Sequence, residues 1–347
     1  MSDLRDEKNA FWNTIRMSKG EYMKNQMKKS CFLLLVCVLC MLPAMPVKAM
    51  GAGSNQLTLV KGQTYQLPNA SWFCKYYAAD AKIVAVSESG ELTAKRVGET
   101  LVSQTTLQGV IQYRVMVTDA VDVVVMMGQS NMVGSGGNVF ESPNVNAMAL
   151  QYSKGKLRNL SRQGTLIPAF ANAYIKQTKT PLISIQTAVG GTSSSGWVGR
   201  GYTKDAQKEL KSCLSYLKNK KVTVKHVYCL WLQGETDAQQ GVTKDGYIAN
   251  VRTIASRMKK AGSEKFLIIQ VGRYRDNNIY MGEIVAAQKQ LCKTYKKQFA
   301  MATTVTNTIS NSKAYYADSV HFNQKALNKI GSSAGKFAGK LAKQTKK

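Results

Sequence analysis

Ser130 stands in the stretch MMGQSNMVGSGG, residues 126–137, directly after the apolar run VDVVV. A strand that stops in Gly128, Gln129, Ser130 and Asn131 puts a hydroxyl on a sharp corner, one way to expose a nucleophile. Gly, Ser and Asn also build ordinary turns, so other residues must decide. A serine hydroxyl is a weak nucleophile until a base removes its proton, and histidine is the usual base near neutral pH. The chain has two histidines. His226 lies inside the strand-like run VTVKHVYCLWL, where a structural role is expected. His321 lies in the polar stretch ADSVHFN, three residues after Asp318. That D-x-x-H spacing lets the carboxylate reach the far ring nitrogen and set the tautomer and orientation of the imidazole. Glu235 and Asp237, in WLQGETDA, are alternative orienting carboxylates. Asp318 is favoured because its own turn builds the contact.

Acyl transfer also places negative charge on the carbonyl oxygen of the substrate, and preorganised donors must meet it. The backbone N–H of Ser130 is one candidate. Gly191, in AVGGTSSSGW, is a second, since a residue without Cβ lets the backbone come close. A side-chain amide, Gln233 or Asn131, is a third. Gln129, Asn131, Glu235 and Asp237 are further candidates for contacting substrate or orienting the base. No C-x-x-C pair suggests zinc, and neither a metal nor an organic cofactor is expected.

These stretches share a position. From residue 121 the runs VDVVVMMG, PLISIQTAVG, VTVKHVYCLWLQG, KFLIIQVG and FAMATTVTN read as strands buried on both faces. Helix-like stretches separate them. YTKDAQKELKSCLSYLKNK carries Leu210, Cys213, Leu214 and Leu217 at helical spacing. GYIANVRTIASRMKKAG, MGEIVAAQKQLCKTYKKQ and NQKALNKIGSSAGKFAGKLAK behave alike. Strands alternating with helices imply a parallel sheet between helical layers. Sites in such sheets form outside the carboxyl ends of the strands, where Ser130, Gly191 and Gln233 stand. The expected fold class is therefore α/β over 121–345, preceded by a small all-β domain over 55–118. That earlier segment consists of short alternating runs broken by Gly, Ser and Asn.

Residues 31–42, CFLLLVCVLCML, follow a basic flank and precede small residues near Ala49. They describe a secretory signal peptide with an N-terminal extension over 1–49, shorter than a membrane span of about 20 residues. A secreted or cell-surface bacterial protein is expected, with cleavage near Ala49. Cys74, Cys213, Cys229 and Cys292 are widely spaced and read as buried thiols. The net charge of +28 is unevenly spread. Residues 50–119 hold 6 basic and 5 acidic side chains, and residues 120–347 hold 34 and 11. Without a recognition motif, nucleic acid is not the expected partner. An anionic cell-wall polymer or acidic glycan suits a basic field better.

GQSNM, GGTSSSGW, WLQGETD and DSVHF, in this order, resemble the SGNH-hydrolase superfamily over residues 121–345. More narrowly they resemble its sialate O-acetylesterase and family 6 carbohydrate esterase branch. The resemblance implies a three-layer, flavodoxin-like fold and a serine esterase that removes O-acetyl groups from a carbohydrate. It implies Ser130 as nucleophile, Asp318 and His321 as its acid–base partners, and Gly191 and Gln233 in the oxyanion hole. Gln233 stands where the wider superfamily carries asparagine. It also implies an O-acetylated glycan as substrate. A non-catalytic carbohydrate-binding or adhesion protein on the same fold is the alternative, and a lipase-like or thioesterase activity is a second. The order VKGQTYQL, VAVSESGELTAKRVGET and YRVMVTD, within 55–118, resembles bacterial immunoglobulin-like domains of group 2.

Overall fold

Alternation of buried and exposed side chains builds the first strands. A computed structural model describes residues 55–275 and 281–345; the expected leader over 1–49 lies outside the described residues. Residues 56–118 form β1 (Gln56–Val60), β2 (Thr64–Gln66), β3 (Lys75–Ala78), β4 (Val84–Val86), β5 (Glu91–Ala94), β6 (Gly98–Thr106) and β7 (Gly109–Thr118). Two sheets result, β1-β7-β6-β3 and β2-β5-β4. In β6 the burial alternates through Val102 and Gln104, as one wet and one dry face require. Leu59, Val84, Leu92, Val102 and Val115 fill the space between the sheets.

The continuous apolar run of β8 (Ala120–Gly128) dictates a different role. Every residue after Ala120 is buried, which suits a central strand covered on both faces. The sheet is completed by β9 (Ala149–Ser153), β10 (Lys156–Asn159), β11 (Leu182–Gln186), β12 (Thr223–Leu232), β13 (Lys265–Ile269) and β14 (Phe299–Thr303). Its order is β10-β9-β11-β8-β12-β13-β14. All neighbours are parallel except β10 and β9.

Period-two geometry sends successive side chains of β8 and β12 into two cores. Val123, Val125, Met127, Cys229 and Trp231 face one; Val124, Met126, Tyr228, Leu230 and Leu232 face the other. The described helices are α1 (Ser130–Val133), α2 (Ile167–Thr178), α3 (Ser194–Gly199), α4 (Tyr202–Asn219), α5 (Glu235–Gln239), α6 (Lys244–Lys260), α7 (Gly282–Thr294) and α8 (Gln324–Gln344). Helices α4, α6 and α7 cover the first face, and α2 and α8 the second. The small face of α8 lies directly on the α2 backbone: a Cβ at Gly335 would come within 2.2 Å of the Phe170 carbonyl oxygen.

The β-rich segment and the α/β region lie in one compact unit. Val60 of β1 is part of the first α/β core. Gln63 donates to the Leu157 carbonyl at 3.1 Å, and the Lys220 ammonium to that of Gly62 at 2.6 Å. Cys74, Cys213 and Cys229 are buried, Cys292 is half-buried, and all four are free thiols. No helix among the described residues is long and apolar enough to cross a membrane.

Candidate active site

Central strand β8 ends against the end of β12, and Gly128 makes the corner. Its φ of +137° and a Cβ that would fall 2.0 Å from the Leu232 carbonyl oxygen leave room for glycine alone. Gln129 then takes the N-cap position of a single helical turn, without a side-chain capping bond. Ser130 is its first residue, 8% exposed. Among the described residues no acceptor meets the Ser130 backbone N–H, as expected for the first turn of a helix.

Gly190 and Gly191 follow β11 and adjoin the serine; a Cβ on Gly190 would lie 3.9 Å from that of Ser130. Gly191 is exposed, with φ +68° and open space around its α-carbon. Its N–H also meets no acceptor among the described residues. The loop is held from behind. Asp237 accepts from the backbone N–H of Ser194 at 2.9 Å and from its hydroxyl at 2.5 Å. Trp197 donates to the Thr192 hydroxyl at 2.9 Å.

Asp318 and His321 share a pinched turn. A β-bridge joins Tyr316 to Phe322, whose rings pack 4.9 Å apart. The Ala317 N–H donates to the His321 carbonyl at 2.9 Å, and Asn323 caps α8 immediately afterwards. Inside this turn Asp318 Oδ2 lies 2.6 Å from His321 Nδ1. Asp318 Oδ1 accepts the backbone N–H groups of Val320 at 2.8 Å and His321 at 2.7 Å. Partial burial works against the charge of Asp318, but these hydrogen bonds outweigh it and hold the carboxyl below its ordinary range.

Asn131 ties the serine corner to this turn. Its Nδ2 donates to the Val320 carbonyl at 3.3 Å, and its Oδ1 accepts the Phe322 N–H at 2.9 Å. The backbone of His321 is thus clamped on both sides by the residue after Ser130. The same Nδ2 donates to Glu235 Oε1 at 2.7 Å. Burial pushes the Glu235 carboxyl above the ordinary range, against the opposing effect of the Asn131 hydrogen bond. Among the described residues Glu235 Oε2 has no hydrogen-bond partner.

The third stretch is placed differently from the first two. Gln233 has no exposed surface. Its Nε2 donates to Thr192 O at 3.0 Å, to Gln129 Oε1 at 3.2 Å and to Asp237 Oδ2. Gln129 Oε1 also accepts the Gly234 and Thr236 N–H groups, both at 3.3 Å. Gln129, Asn131, Glu235 and Asp237 are 3%, 1%, 2% and 0% exposed. These four and Gln233 therefore form a polar layer behind Ser130 and Gly191, with no open face toward a ligand. His226 lies toward the other end of β12, 3.1 Å from Glu264 Oε2 and stacked on Tyr228. Among the described residues no group of three or more His, Cys, Asp and Glu side chains is arranged to hold a metal ion.

This arrangement brings a corner serine, an Asp–His pair and two unengaged backbone donors to one rim, the parts that ester hydrolysis uses. No curated protein matches the sequence. Among solved structures the chain is similar to a carbohydrate acetylesterase from Xanthomonas citri, at 17% identity and TM-score 0.45, covering 83% of this chain and 73% of that one. It is also similar to a protein from Arabidopsis thaliana, at 15% identity and TM-score 0.45, covering 66% and 100%. An acetylxylan esterase from Geobacillus stearothermophilus matches at 13% identity and TM-score 0.40, covering 61% and 91%. The family model described as carbohydrate esterase, sialic acid-specific acetylesterase matches residues 158–340. That range takes in Gly191, Gln233, Asp318 and His321, begins after Ser130, and spans more than half of the chain. The chain belongs to the sialic acid-specific acetylesterase family of carbohydrate esterases.

Proposed function

We propose that the protein is a secreted serine esterase that removes O-acetyl groups from a carbohydrate. The observation that carries the reading is the Asp318–His321 hydrogen bond, in a turn that Asn131 ties to the Ser130 corner. His321 takes the Ser130 proton as Oγ attacks the acetyl carbonyl, and Asp318 stabilises the imidazolium. The N–H groups of Ser130 and Gly191 receive the oxyanion. Gln233 acts through the Gly191 loop, which it holds at Thr192 O. Collapse of the tetrahedral intermediate breaks the bond to the sugar oxygen, which leaves with the proton from His321. Water, deprotonated by His321, then attacks the acetyl-Ser130 carbonyl and releases acetate.

The small residues of AVGGTSSSGW beside Ser130 suit a short acyl group. The signal-peptide-like pattern of 1–49 and the resemblance of 55–118 to bacterial immunoglobulin-like domains support export, with the β-rich segment serving as spacer or adhesion module. Acetate release from a panel of defined acetylated glycans identifies the sugar. Ser130→Ala should lower turnover of an aryl acetate by about 10⁴- to 10⁶-fold. Wild-type rates in that variant would overturn the assignment.

A further inference from the structure

The five longest described helices run back against the parallel strands, so their last turns meet at the amino ends of the sheet, opposite Ser130. All five carry a cation there: Lys176, Lys218, Arg257 with Lys259 and Lys260, Lys293, and Lys343. One cation per terminus is accounted for by the helix dipole. One groove at this pole exceeds that account. It has a volume of about 1040 Å³ and lies between the end of α6, the start of β13 and the turn from α7 into β14. Arg252, Arg257, Lys259, Lys260, Lys296 and Lys297 line it, opposed by one carboxylate, Glu264. Six of thirteen lining residues are thus basic, against 48 of 347 in the whole chain.

None of the six forms an ion pair among the described residues. Two are fixed in other ways. The Arg252 guanidinium lies 4.1 Å over the Tyr295 ring, and Arg257 donates to the Val198 carbonyl at 2.7 Å. The four lysines are exposed. A concave site of one sign focuses field and concentrates oppositely charged ligands. Its volume is at the upper end of the range of clefts that take small ligands, about 300–1,000 Å³. Ammonium groups spread along a groove suit a chain of separated single charges, whereas a convergent guanidinium fork suits one bidentate anion.

We propose that the groove between α6 and the α7–β14 turn binds an anionic polysaccharide, a sugar chain bearing repeated carboxylates, at the pole opposite Ser130. That the polyanion is a sugar chain rests on the carbohydrate-esterase reading; that it is a polyanion rests on the groove alone. Bound there, the polymer holds the enzyme on its matrix and leaves the serine rim free.

Polygalacturonate is the probe, with the whole chain as wild type and as a variant carrying Lys259→Gln, Lys260→Gln, Lys296→Gln and Lys297→Gln. Wild type should bind at about 0.01 M salt, where charges are felt over about 30 Å, and weaken by about tenfold at about 0.15 M, where the range is about 8 Å. The Gln variant should bind about tenfold more weakly at low salt, and Arg at the same four positions should keep the affinity. Hydrolysis of a neutral aryl acetate should stay within about twofold of wild type in both variants. Equal affinity of the Gln variant and wild type would overturn the proposal, as would equally tight binding of neutral dextran. Single-stranded DNA of matched charge binding about tenfold more tightly than the uronate polymer would assign the groove to nucleic acid instead. Loss of aryl acetate hydrolysis in wild type itself would sink the esterase reading and leave the polyanion result standing.

Discussion

At the carboxyl ends of the strands, Glu235 and Asp237 are 2% and 0% exposed and hydrogen-bond to Asn131, Ser194 and Gln233. At the amino ends of β13 and β14, Lys259, Lys260, Lys296 and Lys297 stand in solvent without a carboxylate partner among the described residues. The first pole is organised for position. The buried contacts of Asn131, Gln233 and Asp237 fix the backbone segments that carry Ser130, Gly191 and His321, and low dielectric makes each contact matter. The second pole is organised for field, with exposed point charges on flexible stems that depend little on geometry. Changes at the carboxyl pole should therefore act on turnover and stability together, whereas changes at the amino pole should act on association and its salt dependence.

The sharpest test of that contrast is Asp318→Asn. The amide cannot support the imidazolium and favours the wrong tautomer, so turnover should fall by about 10⁴-fold with little change in substrate affinity. If Glu235→Gln were crippling while Asp318→Asn stayed nearly active, the two carboxylates would exchange roles. Next in size is Asn131→Ala. It leaves Glu235 Oε1 and the peptide groups on both sides of His321 without their partner, at a cost of about 3 kcal/mol in stability. Displacing His321 should lower turnover by about a hundredfold with KM little changed, because a small misplacement of a catalytic group is enough. Urea denaturation and steady-state kinetics read the two effects. A stability loss with unchanged turnover would make Asn131 a purely structural residue.

The smallest effect separates two carboxylates within the carboxyl pole. Asp318 is held below its ordinary value of 3.8, so its contribution is full above that value and is lost as pH falls through the lower folded-state value. Glu235 is raised above its ordinary value of 4.5, so its contribution is full below that value and is lost as pH rises through the folded-state value. In thermal melts, Asp318→Asn should approach wild-type stability on acidification, and Glu235→Gln should gain on wild type as pH rises above 4.5. The same trend in both variants would contradict these opposed environments.

Much of this molecule was legible in the chain. The apolar runs of β8, β11, β12, β13 and β14 are marked by composition, because a strand covered on both faces admits little else. The Asp318–His321 contact was legible because three residues of turn suffice to build it. The hairpin β9–β10 and helix α2 were not. β10 is four residues, KLRN, at a sheet edge where only Leu157 is buried, and so short a strand leaves no periodic mark. Gln233 was legible as a polar residue ending a central strand, but not the direction of its amide. Asp237 accepts from it four residues on, but the amide's other acceptors, Gln129 and Thr192, lie 104 and 41 residues away, and periodicity does not show which of them the amide meets.

Residue patterning alone marks the serine and the glycine pair as ends of buried strands, and the Asp–His pair as a turn before the last helix. Those facts depend on periodicity and on contacts a few residues apart. Tertiary structure alone decided that Asn131 clamps the backbone of His321, that Gln233, Glu235 and Asp237 lie behind the rim, and that six cations from α6 and the α7–β14 turn face one groove. Each joins segments distant along the chain, and side-chain type limits what a residue can bond without saying which distant atom the packing will bring to it.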